Sequence, residues 1–194
     1  GCTLPHVLAA VAAGDPVWFD DGKIGARVEK ASADALILRI TQIAHASGRA
    51  KLASDKGINF PDNALPVRAP TEDDIETLAF AAKHADIVQM SFANSAEDVI
   101  ELIDHLERLD ATHLGVVLKI ETRAGFENLP KMLLAGMRLP RFGVMIARGD
   151  LAVETGFERL AEIQEEMLCL CEAAHVPVIW ATQVLESLDR KSVV

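Results

Sequence analysis

Four short, nearly all-apolar runs beyond Pro61 constrain this chain most: residues 86–92, 114–121, 142–146 and 177–182. Each has the length of a strand, and helical stretches at 71–83, 95–109, 126–134, 157–174 and 183–188 alternate with them. Thr71 and Ser95 are placed as N-caps, and acids crowd the first turn after Thr71. A helix over 126–134 is expected to be interrupted at Pro130. Strands apolar at successive positions hide both faces, as parallel strands covered by helices do. The βαβα order therefore predicts an α/β fold with right-handed crossovers.

A doubly wound sheet also accommodates this order. A barrel is favoured because polar groups collect at the strand C-termini: Ser91, Lys119 with Glu121, Arg148 with Asp150, and Thr182. Barrel active sites lie at that end. The expectation is a partial TIM (β/α)8 barrel of about four βα units. Before Pro61 the runs 16–19, 23–28 and 35–40 are short and rich in β-formers, with turns at Asp20-Asp21-Gly22 and Ser47-Gly48. They read as a small β domain. The apolar opening 3–13 lacks a basic leader region and is broken by Pro5 and His6, so it reads as a short helix or loop.

A net charge of −10 repels nucleic acid and anionic membrane, yet leaves room for a local cationic phosphate site. No apolar run is long enough to span a bilayer. The three cysteines have no zinc-ligand spacing and are expected to be reduced in a cytoplasmic protein. None of the six histidines pairs with a nucleophile at a recognisable spacing.

Lys119 and Glu121 are two apart on a strand and share a face. They read either as a structural ion pair at the strand end or as part of a site. Asp150 follows the next strand, so in a barrel it and Glu121 can converge. Two carboxylates suit Mg²⁺ or Mn²⁺, which prefer hard oxygen ligands. Gly149 lets backbone amides approach an anion. Together with Lys119 these groups describe a site for a phosphorylated carboxylic acid. Thr182 reads equally as a helix N-cap and as a catalytic residue.

The motifs now resemble a known family. Residues 143–154, GVMIARGDLAVE, are similar to the pyruvate kinase signature around its metal-binding aspartate. Residues 177–187, PVIWATQVLES, resemble the family's threonine-bearing strand, and Lys119-Ile120-Glu121 its catalytic strand. Lys56-Gly57-Ile58-Asn59-Phe60-Pro61 resembles the segment leaving the lid domain, and Asp20-Asp21-Gly22 a lid motif. These occur in the family's order from about Pro16 to Leu188. The resemblance implies glycolytic phosphoryl transfer from phosphoenolpyruvate to ADP, giving pyruvate and ATP. It implies Glu121 and Asp150 as metal ligands and Lys119 and Thr182 as catalytic residues. It implies Gly149, Asp150 and Thr182 at the substrate, and Asp21 and Lys56 at the nucleotide. Mg²⁺ or Mn²⁺ is the implied cofactor. K⁺ is a further one, its ligands expected outside this chain. The implied partners are phosphoenolpyruvate or pyruvate and ADP or ATP, in a cytoplasmic homo-oligomer.

Departures from the pattern are Leu118, Ala152 and Asn94, where the family usually has serine, glycine and a basic residue. Together with Phe126-Glu127-Asn128-Leu129-Pro130 they resemble a divergent bacterial branch of the family. The expected organisation is a partial β-barrel lid domain over 1–61, a partial catalytic barrel over 62–188, and a non-native tail over 189–194. Such an internal fragment is expected to be inactive alone. Two other readings are a metal-dependent aldolase or lyase of the related phosphoenolpyruvate/pyruvate-binding barrels, and a non-catalytic phosphoenolpyruvate-binding homologue. The segment 56–61 disfavours the first, and the intact set of Lys119, Glu121, Asp150 and Thr182 disfavours the second.

Overall fold

The computed structural model describes residues 2–44, 48–54, 56–63 and 69–181. Thr182, the helix expected over 183–188 and the tail 189–194 lie outside the described residues.

The N-terminal part opens with a 3₁₀ turn, Pro5–Ala10, and builds one antiparallel sheet. Its strands are β1 (Pro16–Phe19), β2 (Ile24–Ala31), β3 (Leu36–Ile43) and β4 (Ile58–Asn59), in the order β3-β2-β1-β4. Between β1 and β2 the chain reverses through Asp20, Asp21 and Gly22, with φ of 53°, 54° and 80°. Aspartate tolerates this left-handed backbone and glycine adopts it freely, which is why the sequence punctuates here. Val11, Val17, Phe19, Ile24, Ala26, Val28 and Phe60 form a separate small core.

The second sheet is parallel. Its strands are β5 (Ile87–Met90), β6 (Gly115–Ile120), β7 (Phe142–Ile146) and β8 (Val178–Trp180). They pair in chain order, β5-β6-β7-β8, with no reversal of direction in the order. Between them run α1 (Glu72–His84) ahead of β5, α2 (Ala96–Arg108), α3 (Arg123–Glu127) with α4 (Leu129–Gly136), and α5 (Arg148–Thr155) with α6 (Leu160–Ala173). Helix α4 touches both α2 and α6, so these three form one layer. Val116, Leu118 and Ile120 on β6, with Val144 and Ile146 on β7, enter the main core with Leu102, Leu106, Met132, Ile163 and Met167. The alternate positions of β6, Val117 and Lys119, therefore belong to the opposite face.

Both predicted N-caps form capping boxes. The Thr71 hydroxyl accepts from the Asp74 amide at 3.2 Å, and the Asp74 carboxylate accepts from the Thr71 amide at 2.9 Å. Ser95 and Asp98 repeat the arrangement at α2. Two expectations need correction. Pro130 does not interrupt a helix; the break falls at Asn128, and Pro130 sits in the first turn of α4, where a missing N–H costs nothing. The residues after β7, to which the sequence assigned no element, form α5, supported despite Gly149 by the burial of Leu151, Ala152 and Val153. Gly156, with φ of 92°, ends α5, and α6 begins only at Leu160 rather than at Phe157.

The Ser95 box anchors a helix that buries Val99, Leu102, Ile103 and Leu106. Ser95→Ala should therefore lower unfolding stability by about 1 kcal/mol, read from denaturant midpoints at unchanged slope. An unchanged midpoint would show that the cap contributes nothing here.

Candidate active site

Strand β6 delivers two charges to one face. Lys119 Nζ lies 2.5 Å from Glu121 Oε1. The Glu121 side chain is only 2% exposed, whereas that of Lys119 is 28% exposed. The other carboxylate oxygen, Oε2, accepts a 2.7 Å hydrogen bond from the backbone N–H of Phe92. Phe92 follows β5 with φ of 53°, a turn that aims its amide across to the neighbouring strand end. A buried carboxylate is costly unless paired and hydrogen-bonded, and here each oxygen has a partner.

Asp150 occupies the first turn of α5. The Ala147 amide donates to the Ile120 carbonyl at 3.1 Å, so the start of α5 continues the β6–β7 pairing beside the strand end that carries Glu121. Asn59, on β4 of the antiparallel sheet, donates from Nδ2 to Asp150 Oδ1 at 3.3 Å. One helical turn after Asp150 stands Glu154. Burial holds its carboxyl above the ordinary value of 4.5 and the Asp150 charge adds to this, while the Arg123 charge and a hydrogen bond from Asn59 oppose it. Arg123 also donates from Nη2 to the Glu154 carbonyl at 3.0 Å. No side chain caps α5 at Ala147, and a Cβ built at Gly149 would meet nothing within 4 Å among the described residues.

The β1–β2 turn leans on the same helix. A Cβ on Gly22 would stand 3.1 Å from Val153 and 3.4 Å from the Phe157 ring. Lys56 reaches Asp20 at 3.0 Å, and Lys23 reaches it at 3.1 Å. The hydrogen bond from Lys56, then that from Lys23, holds the Asp20 carboxyl below its usual value. Asp21, singled out from the sequence, is the exposed neighbour in that turn, so the structure brings Lys56 to Asp20.

A cleft of about 1090 Å³ opens between the two sheets, lined in part by Asn59, Phe92, Asn94, Thr122, Arg123 and Glu154. Asn94, one of the departures, receives a hydrogen bond from the Thr122 hydroxyl on its side-chain oxygen and one from Asn128 Nδ2 on its carbonyl at 3.0 Å. It thus ties the start of α2 to the start of α3. The other departures are packing positions: Leu118 is buried in the main core and Ala152 is buried on α5.

Of the residues singled out from the sequence, Lys119 and Glu121 are in contact, and Asp150 and Gly149 stand at the adjacent strand end. Among the described residues no three His, Cys, Asp or Glu side chains gather into a metal-holding group. Sequence reasoning missed Asn59, Arg123, Glu154 and the Phe92 amide. Asn59 and Glu154 lay inside recognised motifs, but a backbone amide aimed by a left-handed turn has no side-chain signature.

The class defined by a parallel α/β sheet with a lysine–carboxylate pair and an aspartate at successive strand ends is sharpened by comparison with known proteins. The family model described as "Pyruvate kinase, barrel domain" matches residues 2–193. The chain is 32% identical over 189 residues to "Pyruvate kinase" of Geobacillus stearothermophilus, covering 97% of this chain and 31% of that protein. It is 35% identical over 184 residues to "Pyruvate kinase" of Thermococcus litoralis, covering 94% and 36%. It is 31% identical over 188 residues to "Pyruvate kinase PKLR" of Rattus norvegicus, covering 96% and 31%. The chain belongs to the pyruvate kinase family and spans about a third of the length of the curated relatives it matches. Among the described residues no helix is long and apolar enough to cross a membrane.

Two outcomes are expected of this cluster. Lys119→Met leaves the Glu121 charge with one partner fewer and should cost about 2 kcal/mol of stability. Adding Glu121→Gln should then cost less than the single changes sum to; strict additivity would deny the pair. Glu154 binds its proton more tightly folded than unfolded, so its contribution is full below pH 4.5 and is lost as pH rises through its raised value. Relative to the parent, Glu154→Gln should therefore gain stability as pH rises from 4.5 through that raised value and stay level beyond it; parallel pH–stability curves would contradict it.

Proposed function

We propose that this chain carries part of the active site of an enzyme that moves a phosphoryl group from phosphoenolpyruvate to ADP, giving pyruvate and ATP. Residues 62–188 would supply about half of a (β/α)8 catalytic barrel and residues 1–61 part of a β lid. The sequential, unreversed strand order supports a barrel over a doubly wound sheet, whose order reverses at a switch point. The observation that carries the functional reading is Glu121, held between Lys119 and the Phe92 amide at the strand end beside Asp150.

The donor set fits a hard divalent cation: Glu121 and Asp150 supply carboxylate oxygens, and each keeps lone pairs beyond those already engaged. Mg²⁺ or Mn²⁺ held by them would neutralise charge on the substrate's carboxylate and phosphoryl oxygens. Lys119 has the exposure to reach a bound anion and would stabilise charge on the transferring phosphoryl and the enolate oxygen. The leading amides of α5, at Gly149 and Asp150, would bind the substrate carboxylate, since among the described residues no side chain caps that helix and none lies within 4 Å of a Cβ built at Gly149. Thr182 would stand near the carbon that receives a proton. Asp21 and Lys56, on the sheet that leans on α5, would meet the nucleotide. K⁺ would be a second cation with ligands elsewhere in the enzyme, and the enzyme would be a cytoplasmic homo-oligomer. The chain by itself would not turn over.

The test is kinetic. In the whole enzyme that carries this segment, Lys119→Met should lower kcat by about a thousandfold while Mn²⁺ binding persists, because the ammonium acts on charge that develops in the transition state. Asp150→Asn should instead weaken the cation. Near-normal turnover by Lys119→Met would overturn the role given to the lysine.

A further inference from the structure

We propose that Asn59 is the positioning residue for the Asp150 carboxylate: its side-chain amide, carried on β4, holds one carboxylate oxygen so that the other is presented to a divalent cation. This rests on the cation reading above. Three observations lead to it. Asn59 is only 9% exposed, unusual burial for an amide side chain unless its polar atoms are used. Its backbone is fixed by pairing with Trp18 of β1, so the amide comes from a sheet rather than from a mobile tip. Its Nδ2 donates to Asp150 Oδ1 at 3.3 Å and so spans from one sheet to the helix that follows the other.

The chemistry of the donor matters. An amide nitrogen carries two hydrogens. One engages Asp150, and Glu154 stands one turn along α5, where Asn59 acts to lower its carboxyl against burial. Asn59 thus ties the antiparallel sheet to the carboxylate side of α5. A lysine or arginine in its place would satisfy the same oxygens, but its positive charge would compete with a metal ion. A neutral donor orients the carboxylate and leaves its charge to attract the cation. Groups that orient metal-binding carboxylates in this way typically change metal affinity by about 10–100-fold when removed.

The experiment uses the 194-residue chain with Mn²⁺ alone as probe, following free Mn²⁺ by electron paramagnetic resonance. Asn59→Leu should weaken Mn²⁺ binding about tenfold. Asp150→Asn should weaken it at least as much, and adding Asn59→Leu to Asp150→Asn should cost nothing further. Metal-free melting of each variant separates this from a packing role, which would lower the melting temperature and leave Mn²⁺ affinity alone. If Asn59→Leu does not fold, Asn59→Ser, which keeps the sheet position and withdraws the amide, carries the same expectation. Binding by Asn59→Leu within about twofold of the parent, with Asp150→Asn clearly weaker, overturns the role of Asn59 and leaves the cation reading standing. A loss that persists in full in the Asp150→Asn background overturns it too. Binding indifferent to Asp150→Asn, or no saturable binding by the parent, overturns the cation reading and the assignment with it.

Discussion

Glu121 holds a formal charge at the end of an otherwise apolar strand, almost wholly out of water. Such a group survives burial only if the fold delivers partners to both oxygens, and two different elements do so. Lys119 arrives from the same strand face two residues back, and the Phe92 amide arrives from the turn after β5. Each delivery depends on register. The β5–β6 pairing sets Met90 opposite Leu118, which brings the turn at Phe92 level with the carboxylate. The β6–β7 pairing sets Ile120 opposite Ile146, which starts α5 beside it. A slip of one residue would turn Lys119 and Glu121 into the helix-covered core and Leu118 and Ile120 out of it.

The parallel sheet was legible because its signal is apolar periodicity. Val116, Leu118 and Ile120 are buried by helices, and the caps at Thr71 and Ser95 follow from side-chain chemistry that has few other uses. The run 142–146 coincides with β7. What the sequence hid has physical causes. Helix α5 carries Gly149 in its first turn, a residue of low helix propensity, and three buried apolar residues in succession that give no amphipathic period. Pro130 reads as a breaker by composition but is harmless in a first turn. The Phe92 amide is backbone, and the reach of Asn59 to Asp150 crosses 91 positions of sequence, a separation that no local pattern encodes.

The antiparallel sheet acquires a purpose from that contact. Its small core, around Val17, Phe19 and Phe60, is separate from the main one, yet Gly22 rests on Val153 and Phe157 while Asn59 reaches Asp150. The Asn59 and Val153 contacts fall on α5, the helix that carries Asp150. Movement of this sheet would therefore be felt at the Asp150 carboxylate. The departures Leu118 and Ala152 are absorbed by packing, and Asn94 by a polar link between α2 and α3, so none of them removes a group from the Lys119 face of β6.

The central claim is that Glu121 and Asp150 share one divalent cation beside Lys119. Anomalous scattering from Mn²⁺ introduced into crystals of the protein locates such an ion directly. The account predicts a single strong peak in direct coordination contact with a carboxylate oxygen from each of Glu121 and Asp150. A peak held by one of them alone, or Mn²⁺ bound only elsewhere on the chain, would contradict it.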